Sequence, residues 1–392
     1  MSVTREAGVT APEGFRAAGV AAGIKASGAL DLALLVNDGP RDTAAGMFTR
    51  NKVKAAPVLW TRQVLALRRL RAVVLNSGGA NACTGPLGFQ DTHATAERVA
   101  KALDLGAIEV GVCSTGLIGE RLPMPELLAG VDAAAVALGE TTQAGLDAAR
   151  AVMTTDTVPK QAALTHPDGW TVGGFAKGAG MVAPSLATML AVLTTDAGVD
   201  ESVLEAALRE AADLTFERFD VDGSCSTNDT VLLLASGAAG RTPAPDQFQD
   251  AVTQLCMDLV EQLQADAEGV TKRIKVTAGT AATRRDALAV ARAVARDNLV
   301  KTALFGSDPN WGRIVAAAGM ADARLDPHRI DVTINGITLC RDGCVAADRS
   351  TCDLSGPDIT IDVELNQGAE HATILTADLS HGYVEENSAY SS

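Results

Sequence analysis

The amino-acid sequence predicts a mixed α/β protein in which strands and helices occur in blocks and pack in layers, an α+β arrangement. Three observations support this class. Short apolar runs ending in Gly and Asn dominate the first half, apolar residues recur at helical spacing between residues 200 and 300, and apolar and polar residues alternate in the C-terminal part. The 392 residues suffice for two domains, and 47% hydrophobic with 21% charged residues is an ordinary globular balance.

Two apolar runs in the first half each lead into a glycine-containing segment. Residues 72–75 (AVVL) are predicted to form a strand that ends in the turn NSGGANACTG. The stretch 109–119 (EVGVCSTGLIG) repeats this design, with a buried strand followed by a Ser-Thr-Gly turn. Such turns can point backbone N–H groups at a ligand, but the pattern alone favours ordinary strand-to-helix connections.

Three helices are predicted after residue 196, over 201–219, 245–269 and 284–300. Asp200 is suited to cap the first helix, and Gly269 is suited to end the second. Each helix carries an apolar stripe that is expected to face the core. The stripe residues are Leu204, Leu208 and Ala211 in the first helix, Phe248, Val252, Leu255, Leu259 and Leu263 in the second, and Ala287, Val290, Ala291 and Val294 in the third.

The C-terminal part changes to the period of a strand. Residues 329–340 alternate apolar and polar side chains, and Asn335-Gly336 predicts a tight hairpin turn. Residues 358–366 alternate again. We see no internal repeat at a fixed period and no low-complexity linker.

Composition excludes several classes of partner. The net charge of −15 argues against a nucleic-acid-binding protein, which needs clustered Lys and Arg. The N-terminal segment MSVTREAGVTAPEGF lacks the apolar stretch of a secretory signal. The seven cysteines are scattered, and the pair Cys340 and Cys344 has no nearby His pair, so we expect no metal site and free thiols in a reducing cytoplasm.

The run KGAGMVAPSLATMLAVLTTD (177–196) is unusual because its eighteen inner residues, 178–195, carry no charge. A membrane-spanning helix needs about 20 mainly apolar residues. Glycines, a proline and several hydroxyl residues interrupt this run, and no second candidate span exists. We therefore expect the segment to be buried inside the protein, with no association with a membrane.

Familiar catalytic motifs are missing from the sequence. There is no G-x-G-x-x-G, no Walker A sequence, no G-x-S-x-G and no H-E-x-x-H, and the five histidines are scattered. Thr188 has one conceivable route to a nucleophile. If its hydroxyl attacked the preceding carbonyl and broke the 187–188 bond, its own α-amine would become the base. On these residues alone, a threonine packed in an apolar run is the better interpretation.

A resemblance to a known family changes that interpretation. The run 177–196 resembles the cleavage-site signature of the ornithine acetyltransferases, the glutamate N-acetyltransferases of arginine biosynthesis. Seven further segments match this family in order along the chain. They are GVTAPEGFRAAGVAAGIK (8–25), NSGGANACTG (76–85), STGLIG (114–119), MTTDTVPK (153–160), DGSCSTND (222–229), DPNWGR (308–313) and YVEENSAYSS (383–392).

The resemblance implies a DmpA-like αββα sandwich formed by a self-processed precursor. It implies cleavage between Ala187 and Thr188, which gives an α fragment, 1–187, and a β fragment, 188–392. Thr188 would then be the catalytic nucleophile, and Thr115 with Gly116 would form the oxyanion hole. The family's substrate-binding positions fall on Thr154, Lys177, Thr188, Glu268, Asn387 and Ser392.

The implied reaction is ping-pong transfer of acetyl from N2-acetyl-L-ornithine to L-glutamate through an acetyl ester of Thr188. No cofactor or metal is expected, although some family members also use acetyl-CoA as a co-substrate to make N-acetyl-L-glutamate. The resemblance also implies a cytoplasmic heterotetramer of two α and two β fragments. An alternative hypothesis is a self-processing aminopeptidase or amidohydrolase, because related folds use an N-terminal Ser or Thr for hydrolysis.

Overall fold

The structure, a computed structural model, describes residues 2–181 and 189–389. The chain forms two compact units. The first unit comprises Met1–Glu217 and Ser224–Leu263, and the second comprises Arg218–Gly223 and Gln264–Ser392. In the part of the chain that the structure describes, no helix is long and apolar enough to cross a membrane.

Strands and helices of the first unit follow each other irregularly rather than in strict alternation. Its strands are β1 (Val3–Thr4), β2 (Phe15–Val20), β3 (Leu32–Asn37), β4 (Thr43–Phe48), β5 (Ala72–Gly79), β6 (Val110–Leu117), β7 (Lys160–His166), β8 (Trp170–Lys177), β9 (Leu190–Thr195) and β10 (Thr230–Ala235). Its helices are α1 (Ala56–Val64), α2 (Gly85–Leu103), α3 (Met124–Ala137), α4 (Thr142–Ala151), α5 (Glu201–Leu214) and α6 (Pro245–Ala265), the last of which ends just beyond the unit boundary.

Two sheets form the centre of the first unit. The first sheet has the order β1-β7-β8-β9-β10-β4, and the second has the order β2-β3-β5-β6. Only two neighbouring pairs among these described strands are parallel: β9 with β10, and β5 with β6. Both strands of the β9–β10 pair are buried along their whole length, which explains why their sequences, LAVLTT and TVLLLA, are apolar except for terminal threonines rather than alternating.

Apolar side chains of both sheets belong to one continuous core cluster. Phe175, Val192 and Leu232 of the first sheet share it with Leu34 and Val73 of the second. Helix α5 packs against β4 and β10 of the first sheet, whereas α1, α2 and α3 pack against strands of the second. The order helix, sheet, sheet, helix confirms the predicted αββα layers.

The second unit contains a third sheet with helices packed on it. Its strands are β11 (Arg273–Ala281), β12 (Asp331–Ile334), β13 (Ile337–Arg341), β14 (Cys344–Val345), β15 (Asp358–Glu364) and β16 (Glu370–Ala377), in the order β14-β13-β12-β15-β11-β16. Its helices are α7 (Arg284–Arg296), α8 (Asn298–Phe305), α9 (Trp311–Ala318) and α10 (His381–Ala389). Helix α7 packs on β11 and β16, with its alanine and valine stripe buried.

The predicted helices and the predicted hairpin are present, but the helices end at other residues than the sequence indicated. The helix predicted over 201–219 ends at Leu214, and the one predicted over 245–269 ends at Ala265, four residues before Gly269. The third prediction merged two helices, because Asp297 ends α7 and its side chain caps α8 by accepting from the N–H of Val300. The hairpin at Asn335-Gly336 is confirmed, since β12 and β13 pair across it. The proposed division at residues 187 and 188 concerns covalent fragments rather than compact units, and it stays a prediction.

Candidate active site

The Ser-Thr-Gly segment belongs to a strand, which corrects the prediction of a turn. Strand β6 continues through Gly116 to Leu117, paired in parallel with β5, and the register shifts at Gly78 and Gly79. Gly116 has φ +131°, and a Cβ atom there would lie 2.5 Å from the backbone of both Gly78 and Gly79. Only glycine permits this close approach of the two strands. The irregular pairing presents Thr115 at the carboxyl ends of β5 and β6.

Side-chain amides fix this strand end from both sides. The Asn76 Oδ1 atom accepts from the Ser114 hydroxyl at 2.6 Å. The Asn228 Nδ2 group donates to the carbonyls of Ala80 and Ser114, at 2.6 and 2.8 Å. Displacement of these buried amides costs free energy, because each broken hydrogen bond would leave an unsatisfied polar group. Thr115 therefore has a rigid backbone on its N-terminal side.

Lys177 is the last residue of β8 and is only 1% exposed. Its Nζ atom donates to the Thr154 hydroxyl at 2.7 Å and to the Thr115 hydroxyl at 3.3 Å. Three residues that the sequence analysis assigned to the site are thus brought together from β8, β6 and the α4–β7 loop. A buried lysine is costly unless an anion compensates its charge.

Asp156 supplies that anion. Its carboxylate has no exposed side-chain surface and lies 2.6 Å from Lys160 Nζ and 3.8 Å from Lys177 Nζ. It also accepts from the backbone N–H groups of Gly178 and Thr154, at 2.7 and 3.0 Å. Burial alone would raise its pKa, but the charges of Lys177 and Lys160 outweigh burial and hold the pKa at about 2. Asp156 is consequently a carboxylate at every ordinary working pH.

A second lysine and a cavity lie beside Thr154. Lys25 Nζ donates to the carbonyls of Met153 and Leu30, at 2.7 and 3.0 Å. Burial, opposed by Asp31, lowers the Lys25 pKa, and the nearby charge of Lys177 lowers it further. A cavity of about 580 Å³ opens here, and its lining includes Lys25, Arg150, Thr154 and Asp156. A cavity of this size and charge suits a small molecule that carries a carboxylate.

Asp229 contacts the backbone inside the second half of the uncharged run. Its Oδ1 atom accepts from the backbone N–H of Met189 at 3.2 Å, immediately before β9. The residue is 0% exposed. Neither it nor Asp156 was selected from the sequence. The available signal was that both lie inside segments that match the family, MTTDTVPK and DGSCSTND.

In the second unit, Glu268 and Asn387 are in direct contact. Asn387 Nδ2 donates to Glu268 Oε2 at 2.8 Å. Helix α10 is seated here because the Ser380 hydroxyl donates to the Gly269 carbonyl at 2.5 Å, and a Cβ on Gly269 would lie 2.0 Å from the backbone nitrogen of Tyr383. The two residues predicted to bind substrate are therefore brought together, whereas Ala187, Thr188 and Ser392 lie outside the described residues.

No group of three or more His, Cys, Asp or Glu residues able to hold a metal ion occurs within residues 2–181 and 189–389. The chemistry available at this centre comes from hydroxyl groups, buried ammonium groups and carboxylates. That combination can bind an anionic small molecule and stabilise a developing negative charge.

Comparison with known proteins identifies the family. The model of the ArgJ family matches residues 16–392. The arginine biosynthesis bifunctional protein ArgJ of Mycolicibacterium paratuberculosis is 66% identical over 99% of this chain and 97% of its own length. The chain belongs to the ArgJ family. The protein of the same name from Streptomyces coelicolor is 58% identical over 98% of this chain and 100% of its own.

A solved structure also matches part of this ArgJ-family chain. It is the ornithine acetyltransferase of Mycobacterium tuberculosis complexed with ornithine. The match covers 47% of this chain and 99% of that chain, with 70% sequence identity and a TM-score of 0.47.

We predict that Asp156→Asn destabilises the first unit by about 3–5 kcal/mol, because Lys160 and Lys177 would be left as uncompensated buried charges. Chemical denaturation at pH 7 measures this free energy of unfolding. The control is Arg209→Gln, which removes an exposed ion pair with Glu205 and should cost less than about 1 kcal/mol.

The pH dependence has a defined sign. The folded-state pKa of Asp156, about 2, lies below its ordinary value of 3.8, so this carboxylate stabilises the fold above pH 3.8. The stabilisation is lost as the pH falls from 3.8 towards about 2. Equal acid stability of the Asn variant and the native protein across that window would contradict the assignment.

Proposed function

We propose that this chain is an acetyltransferase of arginine biosynthesis, which moves acetyl from N2-acetyl-L-ornithine to L-glutamate. The similarity to relatives named arginine biosynthesis bifunctional protein ArgJ, along nearly their whole length, supports the pathway. The observation that carries the chemistry is the buried Lys177, bonded to the hydroxyls of both Thr115 and Thr154. A buried cation that orders two hydroxyl groups is suited to binding a carboxylate and to stabilising an oxyanion.

The first proposed step is self-cleavage. The Thr188 hydroxyl attacks the Ala187 carbonyl carbon, the peptide C–N bond breaks, and the nitrogen takes up a proton to become an α-amino group. Water then hydrolyses the resulting ester and releases residues 1–187 from residues 188–392. The reaction requires a β-hydroxyl at residue 188, and it creates an amine with an ordinary pKa of about 7.7–8.0, which is close to working pH.

The second step is acyl transfer from acetylornithine. The new amine accepts the Thr188 hydroxyl proton as Oγ bonds to the acetyl carbon, and it returns that proton to the departing ornithine nitrogen as the C–N bond breaks. Glutamate then attacks the acetyl ester with its neutral amine, and Oγ regains a proton. Each half-reaction passes through a tetrahedral oxyanion.

Thr115 and Gly116 are proposed to bind that oxyanion. Because Lys177 donates to Thr115 Oγ1, the hydroxyl oxygen is already used as an acceptor, and its own proton is directed at another acceptor. The Gly116 N–H is the second donor. Donors fixed before the reaction need no reorganisation, and removal of one typically costs about 2.7–4 kcal/mol in the barrier.

The remaining predicted residues are assigned to substrate binding. Lys177 and Thr154 bind the substrate α-carboxylate beside the cavity lined by Lys25 and Arg150. Glu268, held by Asn387, binds a substrate ammonium group. Their roles, and that of Ser392, rest on the family resemblance. The same resemblance supports a cytoplasmic heterotetramer of two α and two β fragments that works without cofactor or metal.

A second activity is proposed on the same site. The relatives are named bifunctional, which supports use of acetyl-CoA as a second acetyl donor for synthesis of N-acetyl-L-glutamate. The competing proposal is a self-processing hydrolase with the same nucleophile. Incubation of the processed protein with acetylornithine separates the two, because a hydrolase releases acetate at a rate independent of glutamate, whereas the transferase forms acetylglutamate.

We predict that the purified protein gives two fragments on a denaturing gel, with Thr188 as the new N-terminus by Edman sequencing. Thr188→Ala should stay a single chain, because the attacking hydroxyl is lost. The control is Thr165→Ala, which removes a hydroxyl from the exposed face of β7 and should leave processing unchanged. A new terminus at any other residue, or an active uncut chain, would contradict the mechanism.

We predict that Thr115→Val lowers kcat for acetyl transfer about 10²–10³-fold, because one oxyanion donor is lost. The KM for acetylornithine should change much less, since the interaction forms in the transition state. Thr165→Val on β7, which loses only a surface contact with Thr171, is the matched control. An unchanged kcat in a correctly processed Thr115→Val protein would remove Thr115 from the oxyanion hole.

A further inference from the structure

Lys25 is a half-buried cation beside the candidate site, and the proposed reaction assigns it no role. Its backbone is fixed by Asp31, a carboxylate with no exposed surface, which accepts from the backbone N–H groups of residues 22–25 at 2.6, 3.1, 2.6 and 2.9 Å. These four bonds satisfy Asp31 without the Lys25 side chain. In the part of the chain that the structure describes, no ion pair joins the Lys25 ammonium group to a carboxylate.

The ammonium group of Lys25 is nevertheless held in place. Its Nζ atom donates to the carbonyls of Met153 and Leu30, at 2.7 and 3.0 Å. An ammonium group has three N–H donors, so one donor is left for a further partner. Neutral carbonyls orient the charge but do not neutralise it, and a half-buried cation without an anion is unfavourable.

Lys25 lines a cavity that adjoins the candidate site. Arg150 and Thr154 belong to the same lining, and the cavity has a volume of about 580 Å³. Met153, whose carbonyl holds Lys25, directly precedes Thr154, and the Thr154 oxygen accepts from Lys177 at 2.7 Å. The Thr154 hydroxyl proton is therefore available to an acceptor, and none is bonded to it among the described residues. A cation and a hydroxyl donor thus remain unused at one cavity.

The other charges in this lining already have counter-ions. Arg150 pairs with Asp147 at 3.3 Å, and its side chain is 47% exposed. Asp156 is an acid in the lining, and the two buried lysines described above compensate its charge. Lys25 is therefore a charge in the lining that lacks a counter-ion within residues 2–181 and 189–389.

The two substrates of the proposed reaction carry opposite charges on their side chains. Acetylornithine ends in an ammonium group, for which Glu268 is proposed, whereas glutamate ends in a second carboxylate. The carboxylate of Glu268 would repel that second carboxylate, so one subsite cannot serve both side chains. The acceptor therefore needs a cation of its own.

We propose that Lys25 determines the specificity for the acceptor, because its ammonium group binds the side-chain carboxylate of L-glutamate in this cavity. The inference rests on the proposed function and adds a subsite for its second half-reaction. The α-carboxylate stays on Lys177 and Thr154, and the side chain extends into the cavity. The same ammonium group repels the side chain of acetylornithine, so the cavity favours a dicarboxylate.

The decisive variant is Lys25→Met, which keeps the length of the side chain and removes its charge. In a ping-pong reaction, kcat/KM for acetylornithine reports only the first half-reaction, and kcat/KM for glutamate reports only the second. We expect kcat/KM for glutamate to fall about 10–100-fold, the effect of losing a hydrogen bond to a charged group, while the value for acetylornithine changes little. The preference for glutamate over glutamine, which lacks the second charge, should shrink by the same factor.

Three further variants serve as controls. Arg150→Gln removes another cation from the same lining, but this cation is half-exposed and paired, so kcat/KM for glutamate should fall less than about 5-fold. Lys101→Met removes an exposed charge from the last turn of α2 and should leave both constants at their native values. Lys25→Arg retains the charge and should keep the preference for glutamate over glutamine.

Each outcome decides the question. An unchanged kcat/KM for glutamate in a folded Lys25→Met protein overturns the proposal, and so does an equal loss in both half-reactions, which indicates a structural role. A loss confined to reactions with acetyl-CoA assigns the cavity to a phosphate-bearing donor and also overturns it. If the native protein forms no acetylglutamate from acetylornithine and glutamate, the proposed function fails instead.

The native enzyme provides a second measurement if Lys25→Met does not fold. Its lysines are modified with an amine-reactive reagent, and the rate at Lys25 is followed by mass spectrometry. L-glutamate should slow the modification of Lys25, whereas acetylornithine should not. Equal protection by both substrates, or protection by neither, overturns the proposal.

Discussion

The buried ion cluster of Asp156 with Lys160 and Lys177 is the interaction on which the candidate site depends. Without a carboxylate nearby, a lysine that is 1% exposed would lose its proton or leave the interior. Asp156 prevents both, and its own charge is protected because two ammonium groups and two backbone N–H groups surround it. The cluster thereby keeps a buried positive charge at the end of β8, within hydrogen-bonding distance of Thr115 on β6.

The rest of the first unit positions groups around that charge. The close approach of β5 and β6 at Gly78 and Gly116 exposes the Thr115 hydroxyl to Lys177, and Asn228 fixes the neighbouring carbonyls. Both restrict the geometry of a hydroxyl and an N–H group, and electrostatic stabilisation of an oxyanion requires donors that are already oriented.

Sequence patterns predicted the parts of the structure whose cause is local. The C-terminal strands and the stripe of α7 were found because burial on one face imposes a period of two or of about 3.6 residues. Strand β6 was cut short in the prediction, because Ser, Thr and Gly are usual in turns and its continuation depends on pairing with β5. The helix boundary at Asp297 was missed because an internal aspartate gives no clear stop signal until its capping bond is seen.

In the candidate site, too, some residues could be identified from the sequence and others only from the structure. Thr115, Thr154 and Lys177 were identified through family motifs, and the structure adds that they are in contact. Asp156 and Asp229 could not be distinguished by pattern from the other 46 acidic residues among 48, because burial and a partner distant in sequence define their roles. Both residues contact the backbone of the uncharged run, since Asp156 accepts from the Gly178 N–H at its start and Asp229 accepts from the Met189 N–H in its second half.

The central claim is that acetyl passes through an ester on Thr188. Mass spectrometry of the processed protein, quenched in acid after mixing with acetylornithine in the absence of glutamate, tests this claim most directly. The account predicts a gain of one acetyl group on the β fragment, localised to its N-terminal threonine and lost when glutamate is added. Product formation with no acetylated β fragment under single-turnover conditions, or an acetyl group on another residue, would contradict it.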